Sequence, residues 1–252
     1  MRTASSATAT LAALLFRRRQ VWLPTLWGWL VLMGMAVLGV VAFAHAAYGW
    51  LAPVDPAPGA DGLGARTLVV EGWLDETELA QALAAFRRGH YERVLTTGGP
   101  IEAWVDVGDW KNYAVRAAST LRAHGITSVP VIAVPAPASR QDRTYLSAVM
   151  VRDWAARRQV ALGAIDLYSA GVHARRSRLL YRMALGDAVE VGVIAAHPTD
   201  FDAEHWWTSS AGAKSTMGET LSLAWTLCCF WPAPHGTFEE RWDVPPAHGA
   251  TP

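Results

Sequence analysis

The chain has 252 residues, enough for one sizeable core or for an anchor plus one domain, and its 22 basic and 22 acidic residues cancel. Four arginines fall in residues 1–50, which hold no acid. The remainder therefore carries 18 basic against 22 acidic residues, a net of −4, which argues against a nucleic-acid binder. At 52% hydrophobic and 17% charged the chain is apolar for a soluble domain, and one segment explains much of that.

From Gln20 to Ala44 there is no charged residue. A bilayer needs roughly 20 apolar residues in a helix, so residues 21–48 predict a transmembrane anchor. Residues 1–20 carry Arg17, Arg18 and Arg19, and no basic residue follows before Asp55. The positive-inside rule then puts the N-terminus in the cytoplasm and the rest outside the cytoplasmic membrane. A cleaved signal peptide is the competing reading, with small-residue sites at 42–46. The apolar run exceeds the roughly 7–15 residues of a signal core, which favours the anchor.

Residues 49–66, rich in Pro, Gly and Ala, predict a linker. A strand "TLVVEG" (67–72) follows, then a helix over 75–89 with acids in its first turn and Gly89 at its end. "YERVLTTGG" (91–99) is a second strand and residues 101–108 a loop. The pattern continues with a helix over 109–125, a strand over 129–135, a helix over 139–158 and a strand over 164–171. A helix over 173–186, a strand over 189–196 and an apolar helix over 215–231 complete it, and residues 232–252 read as a tail. Short strands, apolar on both faces and alternating with helices, predict an α/β domain over 67–231: a Rossmann-like three-layer sandwich on a mainly parallel five-stranded sheet. The last helix contains Glu219 and is too short and polar for a second span.

Ligands in such sheets bind beyond the carboxyl ends of the strands. Those ends supply Glu71, then Thr97 with Gly98 and Gly99, then Arg143 and Thr144, then "GVHARR". On a helical wheel at 100° per residue with Val172 at zero, Arg175, Arg178 and Arg182 fall at about 240–300°, away from the apolar stripe, and read as solvated. Arg176 falls at about 40°, inside the stripe, with His173 at its edge. A buried Arg must be paired. Its partner is either an acid of the fold, Asp142 or Glu71, or an anionic ligand clamped bidentately. Arg143 falls on the apolar side of its own helix and reads the same way.

Glu71 is a candidate base or an acceptor for ligand hydroxyls, and otherwise an ordinary loop carboxylate. His173 is a candidate general acid/base, and otherwise a capping residue. Gly98-Gly99 permits close backbone approach to an anion, but it is neither G-x-G-x-x-G nor a P-loop. Cys228 and Cys229 read as small buried residues without a bridge. No Cys/His spacing or H-E-x-x-H points to a metal, and no G-x-S-x-G elbow to a serine hydrolase. Trp206 and Trp207 read as packing or membrane-interface residues.

The ordered set "LVVEGWL", "VLTTGGP", "DRTYLSA" and "GVHARRSRLL" resembles the YdcF/SanA/ElyC-like family, also called the DUF218 domain, over roughly residues 66–230. The resemblance implies a Rossmann-like fold, often with an N-terminal anchor, and a link to envelope integrity and cell-wall precursor metabolism. It aligns the family's glycine pair with Gly98 and Gly99, its helix-head threonine with Thr144, and its H-x-x-R with His173 and Arg176. The family's Asn and acid after that threonine are replaced by Leu146 and Ser147.

The sequence therefore predicts a membrane-anchored envelope protein whose domain binds an anionic, phosphorylated small molecule or lipid-linked precursor. Glu71 and His173 are its candidate catalytic groups. Thr97, Gly98, Gly99, Arg143, Thr144 and Arg176 are its candidate ligand contacts. No cofactor is specified. The alternatives are a non-catalytic interaction module of the envelope machinery and an enzyme binding a nucleotide or adenosyl cofactor.

Overall fold

The computed structural model describes residues 23–57, 64–102 and 110–241. The basic N-terminus, the middle of the expected linker, most of the loop expected at 101–108 and the end of the tail lie outside the described residues. Two units are distinguished, one ending at Ala42 and one beginning at Phe43. In the first, residues 26–42 belong to α1 (Leu26–Leu51), a 26-residue helix whose side chains are exposed over that stretch. At about 1.5 Å per residue α1 is about 39 Å long, more than the roughly 30 Å hydrocarbon layer of a bilayer. It is the one helix among the described residues long and apolar enough to cross a membrane.

The second unit is an α/β domain. Its chain order is β1 (Val54–Asp55), β2 (Thr67–Glu71), α2 (Glu76–Arg88), β3 (Arg93–Gly98), α3 (Tyr113–Ala123), β4 (Val131–Pro135), α4 (Arg143–Arg158), β5 (Ala164–Ser169), α5 (Ala174–Leu185), β6 (Glu190–Ala195) and α6 (Ser210–Cys229). The six strands lie in the order β1-β6-β5-β2-β3-β4, all parallel except β1. The chain first winds outward from β2 to β4, then returns to lay β5 on the other side of β2. That reversal makes a crevice at the carboxyl ends of β2 and β5.

Strand residues alternate between two apolar layers, as a pleat of period two requires. Val69, Leu95, Ile165, Leu167 and Val193 pack against α4 and α5. Leu68, Val70, Val94, Tyr168 and Ile194 pack against α2 and α3. Helix starts follow local chemistry. Asp75 and Glu78 form a reciprocal capping box on α2, and Asn112 caps α3. Ser209 caps α6 by accepting from Gly212 N at 3.0 Å, so that helix begins at Ser210, ahead of the 215 predicted.

Three expectations are corrected. The segment predicted as a linker contributes the antiparallel edge strand β1, and Ala57 N donates to buried Asp166 Oδ1 at 2.6 Å, so residues 54–57 of it belong to the fold. The sheet accordingly has six strands. Cys228 and Cys229 are exposed at the end of α6 and joined to each other, neither buried nor unbridged. Trp206 is buried. Its indole Nε1 donates to Ala44 O at 2.8 Å and its ring meets Phe43 edge-on, so the pair 206–207 packs on the last turns of α1.

Candidate functional site

The carboxyl ends of the strands open into a cavity of about 640 Å3. All eight residues nominated from the sequence line it: Glu71, Thr97, Gly98, Gly99, Arg143, Thr144, His173 and Arg176. The folding rule that sends active groups to strand ends thus gathers positions spread over more than a hundred residues.

Glu71 ends β2, the central strand at the reversal, and only 2% of it is exposed. Two serines hold it. Ser169 Oγ at the end of β5 donates to Oε2 at 2.5 Å, and Ser177 Oγ of α5 donates to Oε1 at 2.9 Å. Among the described residues no cation pairs with it. The turn that follows needs Gly72, because a Cβ there would lie 2.5 Å from Thr97 O and 2.5 Å from Tyr113 O. Arg116 of α3 fastens this turn, donating to Gly72 O at 2.9 Å and to Leu74 O. Burial pulls the Arg116 guanidinium below its usual range.

Thr97 ends up behind the glycine pair, its Oγ1 3.2 Å from the buried Tyr181 hydroxyl. Gly98 has φ 140°, a conformation that side chains avoid, and a Cβ there would sit 2.8 Å from Tyr113 Cβ. Gly99 is less constrained: a Cβ would meet nothing closer than Pro137 O at 3.5 Å.

The third group comes from the first turn of α4. Asp142 precedes it in the left-handed region, φ 47°, and its side chain caps no amide. Burial raises the Asp142 carboxyl above its usual range, and the Arg176 charge offsets part of that. Arg143 corrects its wheel position. Its side chain is 64% exposed and pairs with Glu102, which also accepts from Tyr113 OH at 3.1 Å.

The fourth group answers the question of the arginines. Arg176 points inward as predicted, but its partner is neither Asp142 nor Glu71. It is Glu219 of α6, gripped bidentately by Nε at 2.8 Å and Nη2 at 3.1 Å. His173 joins them, with Nδ1 3.0 Å from Glu219 Oε1, Nε2 3.3 Å from Thr144 Oγ1, and Trp73 edge-on at 5.1 Å. Burial alone would raise the Glu219 carboxyl. Hydrogen bonds and charge from His173 and Arg176 outweigh it and bring the pKa down to about 2.

Of the arginines predicted to be solvated, only Arg182 is exposed. Arg178 pairs with Asp55 of β1 at 2.6 Å, and Arg175 stacks over Trp50 at 4.6 Å. Residues the sequence reading missed are Glu219, Trp73, and the serines that hold Glu71. Glu219 had a signal, since it is the one acid in an apolar helix.

No family model and no curated protein matches the chain. Among solved structures, two of pantothenate synthetase from Thermus thermophilus align over 69% of this chain and 69% of theirs. Identity is 14% in both, with TM-scores of 0.31 and 0.32.

Proposed function

We propose that the cavity binds a phosphorylated small molecule, or the phosphorylated head of a lipid-linked precursor, in an envelope protein held to the cytoplasmic membrane by α1. The observation that carries this reading is that two helices begin at one cavity. The first turns of α4 and α5 line it, no side chain caps the first amides of α4, and Arg140, Arg143 and Arg176 stand around them. Helix N-termini with arginines favour anions. Glu71 and Asp142 are placed to accept hydroxyls of the same ligand. The arginines before the anchor would set the N-terminus in the cytoplasm and the domain outside. The resemblance to the YdcF/SanA/ElyC-like family agrees with that setting.

A second reading is favoured by one specific fact: Arg143 and Arg176 each have a carboxylate partner inside the fold. An interaction module without a ligand needs no more than that. The nucleotide or adenosyl alternative has less support, because β3 ends in Thr97-Gly98 with no acid for a ribose.

Native mass spectrometry of the full chain, extracted in mild detergent, separates these readings. A retained phosphorylated molecule, lost in Arg140→Ala and Arg143→Ala and kept in Arg182→Ala, is expected. All of these side chains are exposed, so folding is not at stake. A bare mass, unchanged after adding phosphorylated lipid-linked precursors, would reject ligand binding.

A further inference from the structure

We propose that Thr144, His173 and Glu219 form a nucleophile–base–carboxylate relay, with Thr144 Oγ1 attacking the phosphorus of a phosphate ester or anhydride. The substrate class rests on the anion-binding reading above; the relay rests on geometry. Three side chains from three helices lie in series: Thr144 Oγ1 to His173 Nε2 at 3.3 Å, and His173 Nδ1 to Glu219 Oε1 at 3.0 Å. A nucleophile–base contact of this kind is often loose before substrate arrives. All three line the cavity.

His173 Nδ1 lies 3.0 Å from Glu219 Oε1, which only accepts, and 3.0 Å from Arg176 Nη2, which only donates; the relay uses the tautomer with its hydrogen on Nδ1 toward Glu219, which leaves Nε2 a lone pair facing the Thr144 hydroxyl. Arg176 holds Glu219 through two bonds, and Trp73 packs edge-on against the imidazole, so base and carboxylate are both oriented. Thr144 stands in the first turn of α4, where the helix end favours a developing negative charge. The same roles recur on unrelated folds and in any chain order, so the missing G-x-S-x-G elbow does not count against them.

The step balances as follows. Thr144 oxygen forms a bond to phosphorus and gives its proton to His173 Nε2. The bond from phosphorus to the leaving oxygen breaks, and that oxygen takes the proton from His173. Water then attacks the phosphothreonine, His173 accepts a proton from it, and the proton ends on the Thr144 oxygen as the phosphoryl product departs. Glu219 touches no reacting atom and is a positioning residue.

The test uses a fluorophosphonate ester, a phosphorus electrophile that loses fluoride to an activated hydroxyl, on the full chain in detergent. Intact mass and peptide mapping should find one adduct, on Thr144. It should be absent in Thr144→Val and His173→Ala, retained in Thr144→Ser, and formed at the wild-type rate in Arg182→Ala. Glu219→Gln should slow labelling by up to about 10⁴-fold, as loss of the orienting acid does in serine proteases. Histidine 15N resonances should report the shift of the His173 proton from Nδ1 to Nε2 in that variant.

No adduct, an adduct elsewhere, or labelling of Thr144 that survives His173→Ala overturns the relay. An unchanged rate and tautomer in Glu219→Gln removes Glu219 from it. Binding of a phosphorylated ligand without labelling defeats the relay and leaves the cavity's ligand class standing. Labelling at Thr144 with no phosphorylated ligand retained does the reverse.

Discussion

Glu219 makes a quantitative test of the site's electrostatics, because its carboxylate should stabilise the fold in a pH-dependent way. A fall in pKa from 4.5 to about 2 corresponds to about 3 kcal/mol at about 1.4 kcal/mol per pH unit. The side chain is 19% exposed, so solvent screens little of this. The sign follows from the direction of the shift. A depressed folded-state pKa gives stability that is complete above the unfolded value and is lost as pH falls from about 5 toward 2. Glu219→Gln keeps the shape and removes the titration. Urea unfolding of the full chain in detergent, followed by tryptophan fluorescence, should put the variant about 3 kcal/mol below wild type at pH 7. The gap should close as pH approaches 2. Other carboxylates titrate in both proteins and drop out of the difference. A gap of the same size at pH 7 and pH 3 would refute the argument, since it would mean the ionised group is not what stabilises the site.

Three further outcomes are expected. Glu240 is fully buried, accepts from Arg152 through both oxygens at 2.7 Å and from Tyr145 and Gly236, and so Glu240→Ala should cost about 3–5 kcal/mol by urea unfolding. Gly98→Ala should lose about 1–3 kcal/mol for its strained φ and the clash with Tyr113, while Gly99→Ala stays within about 1 kcal/mol; equal effects would contradict the backbone described. Asp166→Ala strands the Tyr91 hydroxyl, 2.7 Å from Oδ2, and the Ala57 amide, so stability should fall by about 1–3 kcal/mol for each group left unpaired, and hydrogen exchange at Ala57 should accelerate.

What could be read in the sequence, and what could not, divides along the range of the interactions. The five parallel strands and their helices were legible because period-two and period-3.6 apolar patterns are local, and so was the start at Asp75, whereas α3 begins at Tyr113, after the 109 expected. The edge strand β1 was not, since two residues, Val54 and Asp55, give no period at all. That omission produced a second error. The helical wheel put Arg175 and Arg178 off the apolar stripe, but Arg178 reaches the sheet edge, donating to Val191 O of β6 at 2.7 Å and pairing with Asp55 of β1, and Arg175 stacks on Trp50. A wheel gives the direction of a side chain and never its neighbour.

The same limit governs Arg176. Its inward direction was readable from Leu180 and Ala184 on the same stripe, but its partner lies 43 residues further along and on another helix. The better route ran through the acid. A lone carboxylate in an apolar helix is costly to bury unpaired, so Glu219 had to meet a cation. Of the arginines in the chain, Arg143 and Arg176 were the two whose wheel positions required an acid in return, and Arg143 takes Glu102. Glu219 and Arg176 were thus each legible as an unbalanced charge, and the fold is what brings them together. His173 lies one turn ahead of Arg176 and falls within reach of the same carboxylate, which is how a structural ion pair comes to orient an imidazole at the mouth of the cavity.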